Sequence, residues 1–366
     1  MLSQNFPLAL LWALALASAG GLVGTVHAAT QLNFFVASNG NDANGGRAAK
    51  DALRTLEAVE QRIASLPSSE DPLQVTIFVA AGRYTDQTLE WTTARPNLAV
   101  SLRPYEGVAD GQVIFDGAKV RKRQFFTYDP SKASPAEHSG SVRFSFEGIV
   151  IENFCEGLSF GDVRGRSTTS GHRVDRLTLR SIGSKYDRRM RANDRGVSLP
   201  LGDCVAGIRL SATSSTSVTR TRFENIENLP SNQTFYRKYG PGLLHAIYIS
   251  TSARGNTIAK NTFVGFTGSP IRIRDRSNDT VVEGNTFERP LWPDGKVEER
   301  PLYAVSEWYC NTAVMACIEK ARQGERECPS TGMKMADNRL GSGVKSYADE
   351  SQTKESTCNF DPNKPR

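Results

Sequence analysis

Arg209, Tyr248 and Arg272 are the side chains best placed for chemistry, because each stands at the centre of the same short pattern. The flanking residues are Ile208 and Leu210, Ile247 and Ile249, and Ile271 and Ile273. Period-2 alternation sends those apolar neighbours to one side of a strand and Arg, Tyr and Arg to the other. A guanidinium fork pairs bidentately with carboxylates, and an aromatic face stacks on a sugar ring. One step on, the outward positions are Ser211, Ser250 and Arg274, and Asp275 opens the turn beyond. Two segments upstream of these strands, KYDRRMRANDR (185–195) and TFYRKYG (234–240), add seven Lys/Arg and three Tyr, among them Tyr236, Arg237, Lys238 and Tyr239. Together they describe a basic, aromatic-lined groove suited to an acidic chain. The formal net charge of +6 agrees with this. His245 shares parity with Ile247, so it turns inwards at the strand start, as a structural or a catalytic histidine.

The elements that position these residues come from a repeat. AIYISTSARGNTIAKNTFVGFTGS is followed by PIRIRDRSNDTVVEGNTFE, and Ile247, Ile249, Ile258 and Phe263 fall on Ile271, Ile273, Val282 and Phe287 at a constant offset of 24. A fixed period in this range marks a solenoid whose units bury their apolar faces by stacking. Three short apolar alternations per unit, separated by Gly, Asn, Asp and Ser, read as three strands and turns. Upstream, apolar residues spaced +5 and then +3 recur as Phe146/Ile151/Phe154, Val174/Leu179/Ile182, Val218/Phe223/Ile226 and Ile258/Phe263/Phe266. From Ile182 to Ile208 the offset is 26, and from Ile226 to Ile247 it is 21, against 5 from Phe266 to Ile271. Both insertions therefore leave the stack just before the Ile-x-Ile strand, where loops form a wall beside its outer face.

The remaining chain frames this stack. Residues 7–25 are nearly all apolar, and Val26-His27-Ala28 offers small residues for cleavage, so 1–28 reads as a signal peptide without a basic n-region. The alternative is an uncleaved anchor at the short limit for spanning. Export makes disulfides the expected state of Cys155, Cys204, Cys310, Cys317, Cys328 and Cys358, whose pairing spacing does not fix. Residues 51–66 place Leu53, Leu56, Val59, Ile63 and Leu66 at helical spacing, with Asp51 as N-cap, and this helix closes the open end of the stack. Strand runs follow at 75–84, 98–105 and 112–117. The solenoid domain spans 29–289, and 290–366, with four cysteines, forms a disulfide-bearing extension with little core.

The VASNGNDANGG opening, the TLEAV helix, the FVAAGRY strand and the N-T-I-x-x-N-T-F coils resemble the pectate-lyase-like right-handed parallel β-helix superfamily, over roughly residues 33–288. The resemblance implies an all-β, single-stranded right-handed parallel β-helix with an N-terminal capping helix. It leaves the function open, because the superfamily includes lyases, hydrolases and inert surface proteins. In its lyases, a uronate carboxylate is neutralised by Ca2+ or Arg/Lys, and a base removes the neighbouring proton. That implies Arg272, Arg274 and Lys238 as candidate bases and Tyr239 or His245 as proton donor. Arg209, Tyr248, Tyr236, Arg237 and Asp275 would bind substrate. Asp203 and Asp275 are the oxygen ligands available for Ca2+, although no acidic cluster is visible and turn capping accounts for both.

GDCVAGI (202–208), LLHAI (243–247) and PIRIRD (270–275) loosely resemble the motifs of polygalacturonase-like hydrolases, yet Asp203 stands alone where a carboxylate pair is needed. A non-catalytic glycan-binding or structural β-helix is the third reading. No nucleotide-binding glycine motif occurs, and export argues against nucleic acid. The expectation is thus a secreted or periplasmic, monomeric protein with no membrane span after signal cleavage. It binds an acidic polysaccharide and cleaves it by β-elimination.

Overall fold

The computed structural model describes residues 29–67, 71–85, 87–95, 97–119, 124–132, 142–165, 167–183, 204–226, 244–288, 302–308 and 327–349. Their strands form two eight-stranded sheets, one nine-stranded sheet and a two-stranded pair, with parallel pairing throughout. Each turn of chain gives one strand to each long sheet in order. Val281–Glu283, Thr286–Glu288 and Leu302–Trp308, for instance, belong to the first, second and third. The molecule is a right-handed parallel β-helix, the hand that parallel crossovers take.

The inward columns are those of the repeat. Phe146, Val174, Val218, Ile258 and Val282 lie in register in the first sheet, and Ile151, Leu179, Phe223, Phe263 and Phe287 in the second. Phe223, Phe263 and Phe287 stack face to face, with ring centroids 4.9 and 4.8 Å apart. Each is essentially excluded from water, which stabilises the fold by roughly 1.5–3 kcal/mol per ring. Corners are turned by left-handed residues at repeating positions: Arg176, Arg220, Lys260 and Gly284 at one, Asn153, Ser181, Asn225 and Gly265 at the next.

One ladder of buried polar side chains is satisfied by stacking from coil to coil. Asn261 donates its Nδ2 to the Asn285 Oδ1 at 3.0 Å, and Asn285 does the same to Asn338. Asn285 also accepts from the Asn261 backbone N–H at 2.9 Å and donates to the Ile258 carbonyl at 2.9 Å. Asn261 and Asn285 open the N-T-F pattern. His172 is the buried exception in the aromatic core, stacked on Phe160 with 4.6 Å between centroids. Its Nδ1 accepts from the Phe144 N–H, so Nε2 carries the proton and donates to Thr169 Oγ1 at 2.8 Å. Burial pulls its pKa down to about 3, so the ring is neutral.

Two boundaries differ from expectation. The helix, α1, spans Leu56–Ala64 and is capped by Thr55, whose side chain accepts from the Ala58 N–H; Asp51 is not its N-cap. Leu53 is drawn into the sheet edge instead, bridging Val36, so the 3-10 turn at Ala49–Asp51 does not continue into α1. Leu56, Val59 and Ile63 join the core, and Glu60 accepts from the backbone of Thr92 and Thr93, which ties α1 to the first strand of the third sheet. At the other end, the stack runs on past residue 289. Leu302–Trp308, Lys334–Ala336, Arg339–Leu340 and Val344–Asp349 add strands to all three sheets, with Ala304 and Val305 fully buried. The coil geometry persists there although the sequence period is broken by long insertions. The expected signal peptide lies outside the described residues, among which no helix is long and apolar enough to cross a membrane.

Asn285→Ala removes four side-chain hydrogen bonds and strands buried backbone groups. It should cost roughly 2–4 kcal/mol, read as a lower denaturant midpoint with unchanged slope. The depressed His172 pKa sets a pH dependence. The unfolded imidazole takes up a proton below about pH 6.5 and the folded one only near 3, so stability is complete above 6.5 and falls as pH drops through that window. At pH 5 the loss should be roughly 2 kcal/mol. His172→Asn, compared with the parent by denaturant unfolding at pH 5 and above pH 6.5, should remove that part of the slope and leave the part contributed by the similarly depressed His245.

Candidate functional site on the third sheet

The third sheet aligns Arg209 with Tyr248 and Tyr248 with Arg272, one residue per coil. Ile208, Ile247 and Ile271 are fully buried behind them, so the strip faces outwards as alternation requires. The second-sheet strand Arg222–Ile226 is followed in the stack by the third-sheet strand His245–Ser250.

A second column, at the strand starts, meets this strip from the side. Glu156 and His245 occupy equivalent register positions two coils apart, and each contacts the arginine of the following coil. Glu156, fully buried, accepts from Arg209 Nη2 at 2.5 Å, from Gln124 Nε2 at 2.7 Å and from the Val205 N–H at 3.3 Å. His245 accepts from Arg272 Nε at 3.4 Å through Nε2, because its Nδ1 is committed as donor to the Ser269 carbonyl at 2.7 Å. Burial and the charges of Arg272 and Arg274 press its pKa down to about 3, leaving a neutral imidazole. Its ring also lies 5.7 Å from that of Tyr248, so despite its inward parity His245 belongs to the outer strip. The strand start is a corner, where alternation no longer dictates direction.

Arg274 holds a different position. It pairs bidentately with Glu327 at 2.7 and 2.6 Å, donates to the Tyr248 hydroxyl at 3.1 Å, and lies 4.0 Å over the Trp308 ring. Burial works against its charge, but Tyr248 and Glu327 outweigh that, so its pKa is raised and it stays protonated. These contacts make it a fixed cation at the hydroxyl of Tyr248. Arg272 is nine-tenths buried and Tyr248 part-exposed. Asp275 turns back into its own corner, accepting from Arg276 Nε at 3.3 Å and the Cys328 N–H at 3.4 Å.

Cys155 and Cys204 form a disulfide with Cα atoms 4.9 Å apart, and Cys328 is also disulfide-bonded. The first closes a 49-residue loop beside Glu156 and stabilises the fold by about 4 kcal/mol in a loop-entropy picture. Asp203, Tyr236, Arg237, Lys238, Tyr239, Cys310, Cys317 and Cys358 lie outside the described residues. Among the described residues no group of three potential ligands gathers for a metal ion. Glu156, Glu327 and Trp308 were not anticipated. Glu156 had a signal in its place at the start of a third-sheet strand, since a carboxylate buried there demands a cation.

No family model matches the chain, and no curated protein does. Solved structures similar to it include the ORF18 protein of Geobacillus virus E2, at TM-score 0.42 and 12% identity over 81% of this chain and 47% of that one. Pectate lyase Pel9A is similar at TM-score 0.43 and 12% identity over 77% of this chain and 62% of its own. The lacto-N-biosidase from Eubacterium ramulus follows at 0.34 and 14%, over 85% and 56%. The chain thus spans about half to three-fifths of the length of these structures.

Proposed function

We propose that the protein is an exported enzyme that binds an acidic, uronate-containing polysaccharide along the third sheet and cleaves it by β-elimination. The observation that carries this reading is the Tyr248 hydroxyl, held 3.1 Å from the protonated Arg274 and set in register between Arg209 and Arg272. β-Elimination needs a cation to offset the substrate carboxylate, a group to take the adjacent proton, and a donor for the leaving oxygen. Arg272, about 4.8 Å along the strip from Tyr248, supplies the cation. Tyr248, whose hydroxyl accepts from Arg274 and which lies in register with Arg272, is the group placed to move protons. His245 orients Arg272 through Nε2 and adds no charge of its own. Lys238 and Tyr239, on the segment entering this strand, are further candidates for the donor, and Tyr236 and Arg237 for substrate contacts.

The hydrolase reading is less well supported. Two free carboxylates are required, and Glu156 and Glu327, which contact the strip, are each tied to an arginine. The same pairing favours, as a second reading, a strip that only binds, because Arg209 and Arg274 already have partners.

The test is to incubate the protein with pectate, alginate and glycosaminoglycans, with Ca2+ or with chelator, following the ultraviolet absorbance of unsaturated products. Tyr248→Phe should lower turnover on the responding polymer by roughly 10²–10⁴ with little change in binding. Arg272→Gln should weaken binding as well, with both variants melting near the parent. New reducing ends without absorbance would establish hydrolysis instead, and binding without either product would leave the strip a binding surface.

A further inference from the structure

A second cleft lies on a different face, across the outer side of the first sheet near its N-terminal end. Phe35, Phe78 and Arg103 are in register there on Thr30–Val36, Leu73–Val79 and Leu98–Pro104, with Phe34, Ile77 and Leu102 buried behind. Two aromatic residues on outward positions of adjacent strands have no role in the core. Their rings stack at 5.4 Å, and Tyr105, at the strand end, is steeply tilted to both, with centroids 5.4 and 6.0 Å away. Tyr105 is 39% exposed, and among the described residues no ring stacks on its face. The hollow beside it measures about 480 Å³, within the roughly 300–1,000 Å³ of ligand clefts.

Its polar lining is mixed and partly fixed. Arg176 is clamped by Asp110 at 2.8 Å and by Glu147, which holds that wall rigid. Arg103 lies over the Phe78 ring at 4.9 Å, and among the described residues no carboxylate pairs with it. Glu106 is exposed and likewise carries no ion pair among the described residues. The lining thus sets two arginines against Glu106, Asp110 and Glu147. That balance repels a polyanion, in contrast to the arginine-bearing strip of the third sheet. It offers a guanidinium fork and a carboxylate, which between them donate to and accept from hydroxyls, beside an open aromatic face.

We propose that this cleft is a second carbohydrate site that takes an uncharged sugar chain, with a pyranose ring on Tyr105 and its hydroxyls on Arg103 and Glu106. The inference stands apart from the acidic-polymer reading, because it uses other residues, another sheet and another ligand chemistry. A protein so built would hold a neutral glycan with one face while the other engages an acidic polymer.

Calorimetric titration of the full chain with cellohexaose, xylohexaose, mannohexaose and maltohexaose tests it. At least one should bind, with an affinity that survives molar salt, since no net charge is matched. Tyr105→Ala should weaken that binding about tenfold or more, and Glu106→Gln, an exposed change that does not threaten folding, should weaken it severalfold. Tyr248→Phe should leave it unchanged, and Tyr105→Ala should leave association with acidic polymers unchanged. The proposal is overturned if none of the four sugars binds. It also fails if binding is indifferent to both cleft variants or is lost equally with Tyr248→Phe.

Discussion

Everything in this molecule depends on register between parallel strands. Each coil lies about 4.8 Å from the next, so whatever a position projects is met by the equivalent position above and below. A slip of one residue would exchange the inner and outer faces of a strand. Phenylalanine therefore stacks on phenylalanine, and asparagine bonds to asparagine from Asn261 through Asn285 to Asn338. The outer strip is a by-product of the same constraint. Once Ile208, Ile247 and Ile271 are buried in register, Arg209, Tyr248 and Arg272 can only form a line.

A line of cations on a flat sheet would repel itself and wander. The strand-start column limits both effects by giving each arginine a partner from the preceding coil. Glu156 neutralises Arg209, and the neutral His245 orients Arg272 without cancelling its charge. Arg274 has its own carboxylate in Glu327, leaving its remaining donor on Tyr248. Three guanidiniums of one strip thus sit in three electrostatic settings. That difference, more than the count of basic residues, gives the strip chemical direction.

Period and alternation made the three-stranded coils, the inward columns and the outward strip legible, because each is a local consequence of spacing. Other features depended on tertiary competition. Asp51 lost the helix cap to Thr55 because Leu53 was more useful as an edge of the core, and no propensity argument contains that preference. The coil after residue 289 carries no 24-residue offset, so Leu302–Trp308 had no template in the sequence. Glu327 lies 53 positions from Arg274, and only the extra coil brings them together. His245 was misread in direction for a simpler reason, since alternation fails at a corner.

The open end of the stack has a consequence for size. A rod built by adding equal layers has no intrinsic length, and its last layer presents unpaired backbone to any other chain. At the start, α1 closes the core. At the far end, among the described residues, Lys334–Ala336, Arg339–Leu340 and Val344–Asp349 each pair on one side only. Lys334, Arg339 and Lys345 are all exposed there. Exposed charged side chains on an outermost strand are a recognised way for such edges to resist pairing with another chain.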